Sequence, residues 1–319
     1  MKKLFAVLLL VALALPVFAD DAQTLPAGVL RTYITTAYAF GDQGFNPDGD
    51  KVDAMELKAL NLGTAIEYGV NDWISAGIQW APGWNVWSET DYALGAGNTG
   101  LVNGIYDLFV GAKIQVVGSK APISNDKVRF AVTPGVKIPL GGADFTKEYE
   151  NILAGEDAII SDPDKHAWAV GGRASFDYVI NEMFFANLFC EYIKYFEVKD
   201  ALVSPTPAAL EDLAKADYAY GYTLKLEAEP HFETPLGGGK LGIGVPVSYS
   251  MWPATEKDGV EMAAKPEGYS LSISPSASYF FMAGPLPLEV KLGYTLPLMG
   301  ESTPAYNTAV FQLKSYLKF

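Results

Sequence analysis

The feature that most constrains the fold is an alternation of apolar and polar residues that persists over unusually long segments. In Tyr218–Phe232, mainly apolar side chains at even positions oppose polar ones at odd positions, among them Lys225 and Glu227. A period of two residues marks a β-strand whose two faces meet different surroundings. The pattern returns in residues 269–281 and 288–298, so it characterises the chain rather than one segment.

The alternation predicts twelve strands in the 319 residues. Most of them are longer than the roughly five or six residues common in soluble sheets. A tilted strand of about ten residues, rising about 3.3 Å per residue, crosses an apolar layer about 25 Å thick. The predicted strands span approximately 28–40, 57–69, 73–82, 103–117, 127–138, 167–180, 183–197, 218–232, 240–252, 268–281, 287–299 and 306–319.

The connections between these strands alternate in length. Short ones follow the even-numbered strands and long ones follow the odd-numbered strands, which is the arrangement of short periplasmic turns and long extracellular loops in an outer-membrane barrel. An even number of strands then places both termini at the periplasmic rim. The predicted long loops are 41–56, 83–102, 139–166, 198–217, 253–267 and 300–305.

The apolar face is wide and continuous, whereas a secreted β-sandwich has shorter strands, buries its apolar face and exposes its polar one. We therefore predict an all-β fold: a transmembrane, antiparallel, up-and-down β-barrel in the bacterial outer membrane, with membrane lipid as its outer partner. Aromatic rings of the apolar parity suit the headgroup level of a membrane. The candidates for such a girdle are Tyr38, Phe40, Tyr68, Trp80, Trp168, Phe176, Tyr178, Tyr249, Tyr279 and Tyr294.

The first residues have the pattern of a secretory signal. Lys2 and Lys3 precede an apolar run that Pro16 interrupts, and Ala19 suits a signal peptidase. A single anchor helix is the alternative, but the run is shorter than the roughly 20 residues that a spanning helix needs. The predicted domains are a signal peptide over 1–19, a short N-terminal periplasmic segment over 20–27 and a single barrel over 28–319.

The chain ends on an aromatic residue of the apolar parity. Phe319 lies on the same strand face as Leu317, Leu313 and Phe311. This ending resembles the C-terminal strand of bacterial outer-membrane proteins, whose terminal aromatic residue is read by the barrel assembly machinery. The resemblance implies that Phe319 and Leu317 form an assembly signal and that this machinery is a partner.

The polar parity supplies the inner wall of the predicted barrel. Its basic and acidic side chains are nearly balanced in number, which favours cross-strand ion pairs. Twelve tilted strands about 4.8 Å apart close at a backbone diameter of roughly 24 Å, which side chains reduce to on the order of 10 Å. Such a lumen either passes a small molecule or is filled by its own side chains. The predicted lumen-lining residues are Arg31, Glu67, Asp107, Lys113, Arg129, Lys137, Arg173, Asp177, Glu191, Lys225, Glu227, Glu229, Glu289, Lys291 and Lys314.

The net charge of −14 argues against nucleic acid as a partner. Much of the excess acid falls in loops 41–56 and 139–166, where it would raise the local cation concentration at the mouth. Divalent cations and host ligands are both candidates for these acidic loops. Residues 207–216 have a helix-forming composition that begins with proline, and we expect them to cap or enter the mouth.

The chain offers little catalytic or metal chemistry. Residues 46–50 imitate the start of a calcium loop, but Lys51 stands where that loop requires glycine. Residues 237–240 suit a hairpin turn better than a phosphate loop. Neither His166 nor His231 begins the His-x-Ser pair of the outer-membrane phospholipases, which also have twelve strands. A surface protease built on His166 is a further alternative. We predict no enzymatic activity, no metal and no cofactor.

Two stretches carry a family resemblance. Residues 25–28 read LPAG, and residues 62–79 read LGTAIEYGVNDWISAGIQ. They resemble the barrel family associated with the meta-pathway of phenol degradation, which is related to the fatty-acid and aromatic-hydrocarbon channels of the outer membrane. The resemblance implies uptake of hydrophobic small molecules. Fatty-acid channels have fourteen strands and an N-terminal plug, and residues 20–27 are too few for a plug of that kind.

The leading hypothesis is an outer-membrane transport barrel for small molecules, with hydrophobic ones among the candidates. The alternative is a closed structural or adhesive surface barrel whose acidic extracellular loops meet cations or host ligands. Passage of a solute through the reconstituted protein favours the first, and surface binding that depends on the loops but not on permeability favours the second.

Overall fold

A computed structural model describes residues 21–90, 101–102, 104–140, 159–161, 165–202, 215–263 and 265–319. The predicted signal peptide and most of loop 139–166 lie outside the described residues. So does most of the predicted helix over 207–216, whose last two residues belong to a strand. In the described part of the chain, no helix is long and apolar enough to cross a membrane.

Twelve long strands form the wall of the molecule, one at each predicted position. Their spacing along the chain follows the alternation, and they differ from the predicted spans mainly at the ends. Two of them are interrupted next to Pro246 and Pro275, because proline has no N–H to contribute to the ladder. The strands are β1 Val29–Phe45, β2 Lys51–Asn71, β3 Ile74–Thr90, β4 Leu108–Gly118, β5 Val128–Ile138, β6 Ala169–Val179, β7 Phe184–Tyr195, β8 Tyr222–Leu236, β9 Gly239–Gly244 and Val247–Trp252, β10 Gly268–Ile273 and Ser276–Ala283, β11 Leu286–Glu301, and β12 Asn307–Lys318.

The sheet is a closed barrel in which every long strand is antiparallel to its neighbours in sequence. Closure is made by β1 and β12, which pair from Val29 with Lys318 to Phe40 with Asn307. Closing the sheet leaves no row of unpaired backbone groups, which is the condition for crossing a bilayer with strands. The predicted up-and-down barrel of twelve strands is therefore confirmed.

Burial in this barrel is the reverse of that in a soluble protein. The fully buried side chains include polar ones such as Asn61, Ser75 and Asp177, which point inward. Apolar side chains of the opposite parity are about half exposed, with Ile66 at 50% and Leu292 at 59% of their accessible surface. Such an exterior is stable only against lipid, and it confirms the predicted division between an apolar outer face and a polar inner face.

The first hairpin is longer than the alternation predicted. Residues 41–56, expected to form a long loop, mostly extend β1 and β2, and the chain turns within 46–50. The Asn46 side-chain oxygen accepts hydrogen bonds from the backbone N–H groups of Asp48, at 3.0 Å, and Asp50, at 2.8 Å. This Asx-type turn needs no extended loop, and a strand that continues beyond the membrane loses the apolar face by which the pattern was recognised.

Short strands add to the barrel at its rims and in its connections. Val198–Leu202 and Lys215–Ala219 form a small sheet with Glu256–Lys257 and Val260–Glu261, so the fourth and fifth long connections meet each other. The remaining short strands are Leu101–Val102, Gly104–Ile105, Ile123–Ser124, Ile159–Ser161 and Thr303–Pro304.

Candidate functional site

The inner wall of the barrel is bound together by ion pairs between neighbouring strands. The sheet register places Arg31 opposite Glu67, Arg173 opposite Glu191, and Glu289 opposite Lys314. Directly opposed side chains on one face lie close enough to interact, and opposite charges there stabilise the sheet. The pairs between strands are Arg31 with Glu67, Arg173 with Glu191 at 2.6 Å, Lys314 with Glu289 at 3.0 Å, Arg129 with Asp177 at 3.6 Å, and Lys137 with Asp107 at 3.7 Å, while Lys225 pairs with Glu227 of its own strand at 2.9 Å.

Three further charged residues predicted for the lumen also lie on the inward face. Lys113, 4% exposed, donates to the backbone carbonyl of Asp21 at 3.0 Å. Glu229 lies 2.9 Å from Nδ1 of His231, and Lys291 is 7% exposed. Most charged residues of the predicted set thus have at least half-buried side chains and form cross-strand ion pairs, and their role in lining a path through the lumen stays a prediction.

One side of the lumen contains a cavity of about 180 Å³. It lies against β1, β2, β3, β4 and β12, with one lining residue each from β5, β6 and β11, and small side chains such as Thr35, Ala37 and Ala65 leave space. Its charged lining residues are Asp21, Arg31, Glu67, Lys113, Arg173, Lys291 and Lys314. Polar groups of Gln79, Thr133 and Gln312 also face it, together with the rings of Tyr33 and Phe109.

The opposite side of the lumen is filled by an apolar cluster. Phe109, Ile193 and Tyr195 are each at most 6% exposed, and they pack with Ala167 and Ala169. The sequence of β7 indicates this cluster, although the alternation of apolar and polar residues alone does not. On β7, apolar residues occur on both parities, which indicates a strand whose inner face meets side chains rather than water.

Cationic side chains cover the rings of this cluster. The guanidinium of Arg173 lies 3.9 Å from the centre of the Phe109 ring, and the ammonium of Lys165 lies 4.0 Å from the centre of the Tyr195 ring. In such contacts the negative face of the ring attracts the cation, which offsets part of the hydration that the cation loses inside the barrel. Phe109 thereby marks the boundary between the packed side and the cavity.

The segment that precedes β1 enters the barrel at the end that carries the short turns. The Ala22 N–H donates to the Asp177 carboxylate at 3.1 Å, and the Leu25 N–H donates to the Ser75 hydroxyl at 3.0 Å. Thr24 contacts the Gln115 amide oxygen at 3.1 Å. Ala22, Thr24 and Leu25 are all buried, so this short segment occupies part of the lumen.

The acceptors and donors for this segment come from the inner wall. Asp177 is fully buried and also accepts a hydrogen bond of 2.7 Å from the Asn187 amide. The sequence of residues 20–27 does not indicate that this segment binds inside the barrel, because most of its contacts are made by backbone groups. The indication lies in the inner wall, where the polar side chains of Asp177, Gln115 and Ser75 lie near the end of the barrel that carries the short turns.

The third strand contains an irregularity beside the cavity. Thr64 pairs with Trp80 and Leu62 with Trp84, so three residues of β3 bulge from the ladder. Gly83 makes the bulge possible at a positive φ of 87°, and a Cβ there would meet the Leu62 carbonyl oxygen at 2.2 Å.

The outer face of the barrel has an apolar recess next to this bulge. Its volume is about 310 Å³, and Ile78, Trp80 and Leu108 belong to its lining together with Leu140. Thr64, Ala65, Ile66 and Ile78 border both the recess and the inner cavity. A single strand layer therefore separates the lipid-facing recess from the lumen.

Comparison with solved structures supports the fold. An outer-membrane channel from Pseudomonas putida F1 matches with a TM-score of 0.66 and 16% identity, covering 95% of this chain and 100% of that chain. The toluene transporter TodX of P. putida and a FadL homologue of Pseudomonas aeruginosa match at TM-scores of 0.43 and 0.37, with 10% and 11% identity. The match with TodX covers 92% of this chain and 91% of that chain, and the match with the FadL homologue covers 91% and 90%. No protein-family model and no curated protein sequence matches the chain.

Proposed function

We propose that this protein is a channel of the bacterial outer membrane that transports small molecules, hydrophobic ones among them. The observation that carries the proposal is the cavity of about 180 Å³ inside a closed barrel with a lipid-compatible exterior. A barrel whose only task is structural has no need of a hollow lumen, because inward side chains pack to a density close to that of a protein interior when no space is required. The structural match to an outer-membrane channel agrees with this proposal.

The same proposal assigns roles to the charged inner wall. The inward ion pairs stabilise the wall around the cavity, because each paired charge has a partner of opposite sign beside it. Breaking one partner of such a pair would leave a desolvated charge, which is costly. The predicted lumen-lining residues thus form the walls of the path, and Phe319 and Leu317 keep their proposed role in barrel assembly.

Support for hydrophobic solutes comes from the recess beside β3. Apolar side chains line it, and it shares Ala65 and Ile78 with the cavity. A solute that moves from the lumen to the lipid-facing side at this point has only one strand layer to pass. This observation favours molecules that partition into membranes over strictly polar solutes.

A closed surface barrel is the second candidate, and two observations favour it. The apolar cluster around Ile193 fills one side of the lumen, and the segment at Ala22–Leu25 occupies the periplasmic end. In this alternative the cavity is enclosed, and the extracellular loops carry the function by binding cations or host ligands.

Recording of single barrels in planar bilayers separates the two candidates. The purified protein is compared with a variant that lacks residues 21–26, and both are checked for folding by heat-modifiable gel mobility. A channel predicts measurable conductance that increases when the N-terminal segment is removed, because that segment narrows the periplasmic exit. Absence of any solute passage through both proteins would overturn the channel proposal.

A further inference from the structure

The cavity in the lumen has a charge opposite to that of the protein. Five of its lining side chains are cationic and two are acidic, in a chain whose net charge is −14. Random placement of charge in so acidic a chain would give an acidic cavity, so the sign is a local property of this site. Its cationic lining residues are Arg31, Lys113, Arg173, Lys291 and Lys314.

The carboxylates that pair with two of these cations do not line the cavity. Lys314 pairs with Glu289 and Arg173 with Glu191, and both glutamates stand outside the lining. Each of these pairs therefore turns its cationic end toward the empty space. Inside a low-dielectric wall, a positive excess of this kind attracts an anion more strongly than the same charges would in water.

The lining is also amphipathic. The Tyr33 ring lies 4.8 Å from the Arg31 guanidinium and 5.5 Å from the Lys314 ammonium, so an aromatic face stands beside two cations. Phe109 and Val310 add apolar surface. A ligand that satisfies both kinds of group has an anionic head and an apolar body.

The size of the cavity limits that body. A cavity of about 150 Å³ holds one benzene molecule, and the volume here is about 180 Å³. One six-membered ring with a single carboxylate group matches this volume, which favours a small organic acid over a long-chain fatty acid.

We propose that the cavity is a binding site for a small organic monocarboxylate with an apolar body of about one ring. The carboxylate lies among the ammonium groups of Lys113, Lys291 and Lys314, and the body lies against Tyr33 and Val310. This proposal rests on the proposed function, since a site in the lumen lies on the path of a transported solute.

Calorimetric titration of the folded protein in detergent tests the site directly. The probes are benzoate, its neutral isostere benzamide and the cation benzylammonium. We expect benzoate to bind at one site per barrel, and the other two to bind at least about tenfold more weakly, because only benzoate has a charge complementary to the lining. Equal binding of benzamide, or preferred binding of benzylammonium, would overturn the proposal.

Three variants assign the binding to the cavity. Lys291→Met and Lys113→Met each remove one lining cation, and Lys194→Met makes the same change on an exposed residue of the outward parity. We expect about a tenfold loss of benzoate affinity in each cavity variant, because one nearby unit charge is removed at a low effective dielectric. Lys194→Met should bind like the unchanged protein.

Failure of folding is distinguished from loss of the site by Lys291→Arg, which keeps the charge and should keep most of the affinity. A cavity variant that binds benzoate as well as Lys194→Met does would contradict the proposal. Bilayer recording on the same samples reports on the proposed function separately. If the protein binds benzoate but conducts nothing, the binding site is supported and the channel function is contradicted. If it conducts but does not prefer benzoate over benzamide, the channel function is supported and the binding site is contradicted.

Discussion

Two sectors of the same lumen differ in how much empty space remains between their inward side chains. In the sector around β1–β4 and β12, residues such as Thr35, Ala37 and Ala65 are small, and a cavity remains. In the sector around β6 and β7, Ile193 and Tyr195 fill the corresponding space. Both sectors share one antiparallel ladder and one alternation of faces. The volume of the inward side chains, rather than the plan of the backbone, therefore decides whether a sector is open or filled.

The largest expected effect comes from filling the open sector. Ala37→Trp places an indole in the cavity, where Ala37 is 2% exposed, and it should lower single-channel conductance at least about tenfold because a close-packed lumen leaves no path. Thr36→Trp is the matched control, since Thr36 has the outward parity on the same strand. Equal conductance in the two variants would mean that solutes take another route.

Breaking an inner-wall ion pair should cost more stability than breaking a pair at the surface. Glu191→Gln leaves Arg173 buried without its carboxylate, and we expect the free energy of unfolding to fall by about 3 kcal/mol. Urea titration in lipid vesicles measures the change. Glu56→Gln removes the partner of Lys58 from an exposed pair and should cost much less stability, because solvent screens that pair. Similar losses in both variants would argue that the inner wall is as well hydrated as the surface.

Opening the packed sector should have a smaller effect of the opposite sign. Phe109→Ala removes the ring at the boundary between the sectors and should enlarge the cavity, since surrounding side chains relax only partly into such a space, raising conductance by about twofold. Phe311→Ala, on the outward face of β12, should leave conductance unchanged. A Phe109→Ala channel with unaltered conductance would show that this boundary does not limit the path.

The smallest expected effect concerns Lys265, which lies outside the membrane-spanning strands. Burial lowers its pKa to about 8, below the usual value of 10.5. The unfolded chain therefore holds more protons than the folded one between about pH 8 and 10.5, so Lys265 should make stability rise with pH across that window. Urea midpoints at pH 7 and pH 10 measure the rise, and Lys265→Met should reduce it. If stability rises equally with pH in Lys265→Met, other titratable groups cause the rise.

The alternation predicted much of the fold because it reports directly on the difference between lipid and lumen. Its period placed all twelve long strands, and its parity placed residues such as Arg31 and Glu67 on the inner wall. The alternation did not predict the strand ends that lie beyond the boundary of the lipid layer. The outer parts of β1 and β2 lie beyond the apolar layer, so their residues alternate too weakly to be distinguished from a loop.

The details of the candidate site depend on volume and on backbone contacts, which parity does not report. The cavity exists because Ala37 and Ala65 are small while Ile193 is large, and only the closed arrangement brings these positions together. The docking of Ala22 and Leu25 uses backbone N–H groups that every residue except proline carries. Neither feature has a periodic signature in the sequence.

Cysteine accessibility along β1 shows whether an apolar exterior surrounds a wet interior with a cavity. Single cysteines at positions 34, 35, 36 and 37, in a Cys190→Ser background, are treated in proteoliposomes with a small water-soluble thiol reagent. We expect labelling of Thr35→Cys and Ala37→Cys, which line the cavity, and protection of Ile34→Cys and Thr36→Cys, which face lipid. Labelling without this alternation, or labelling of positions 34 and 36 alone, would contradict it.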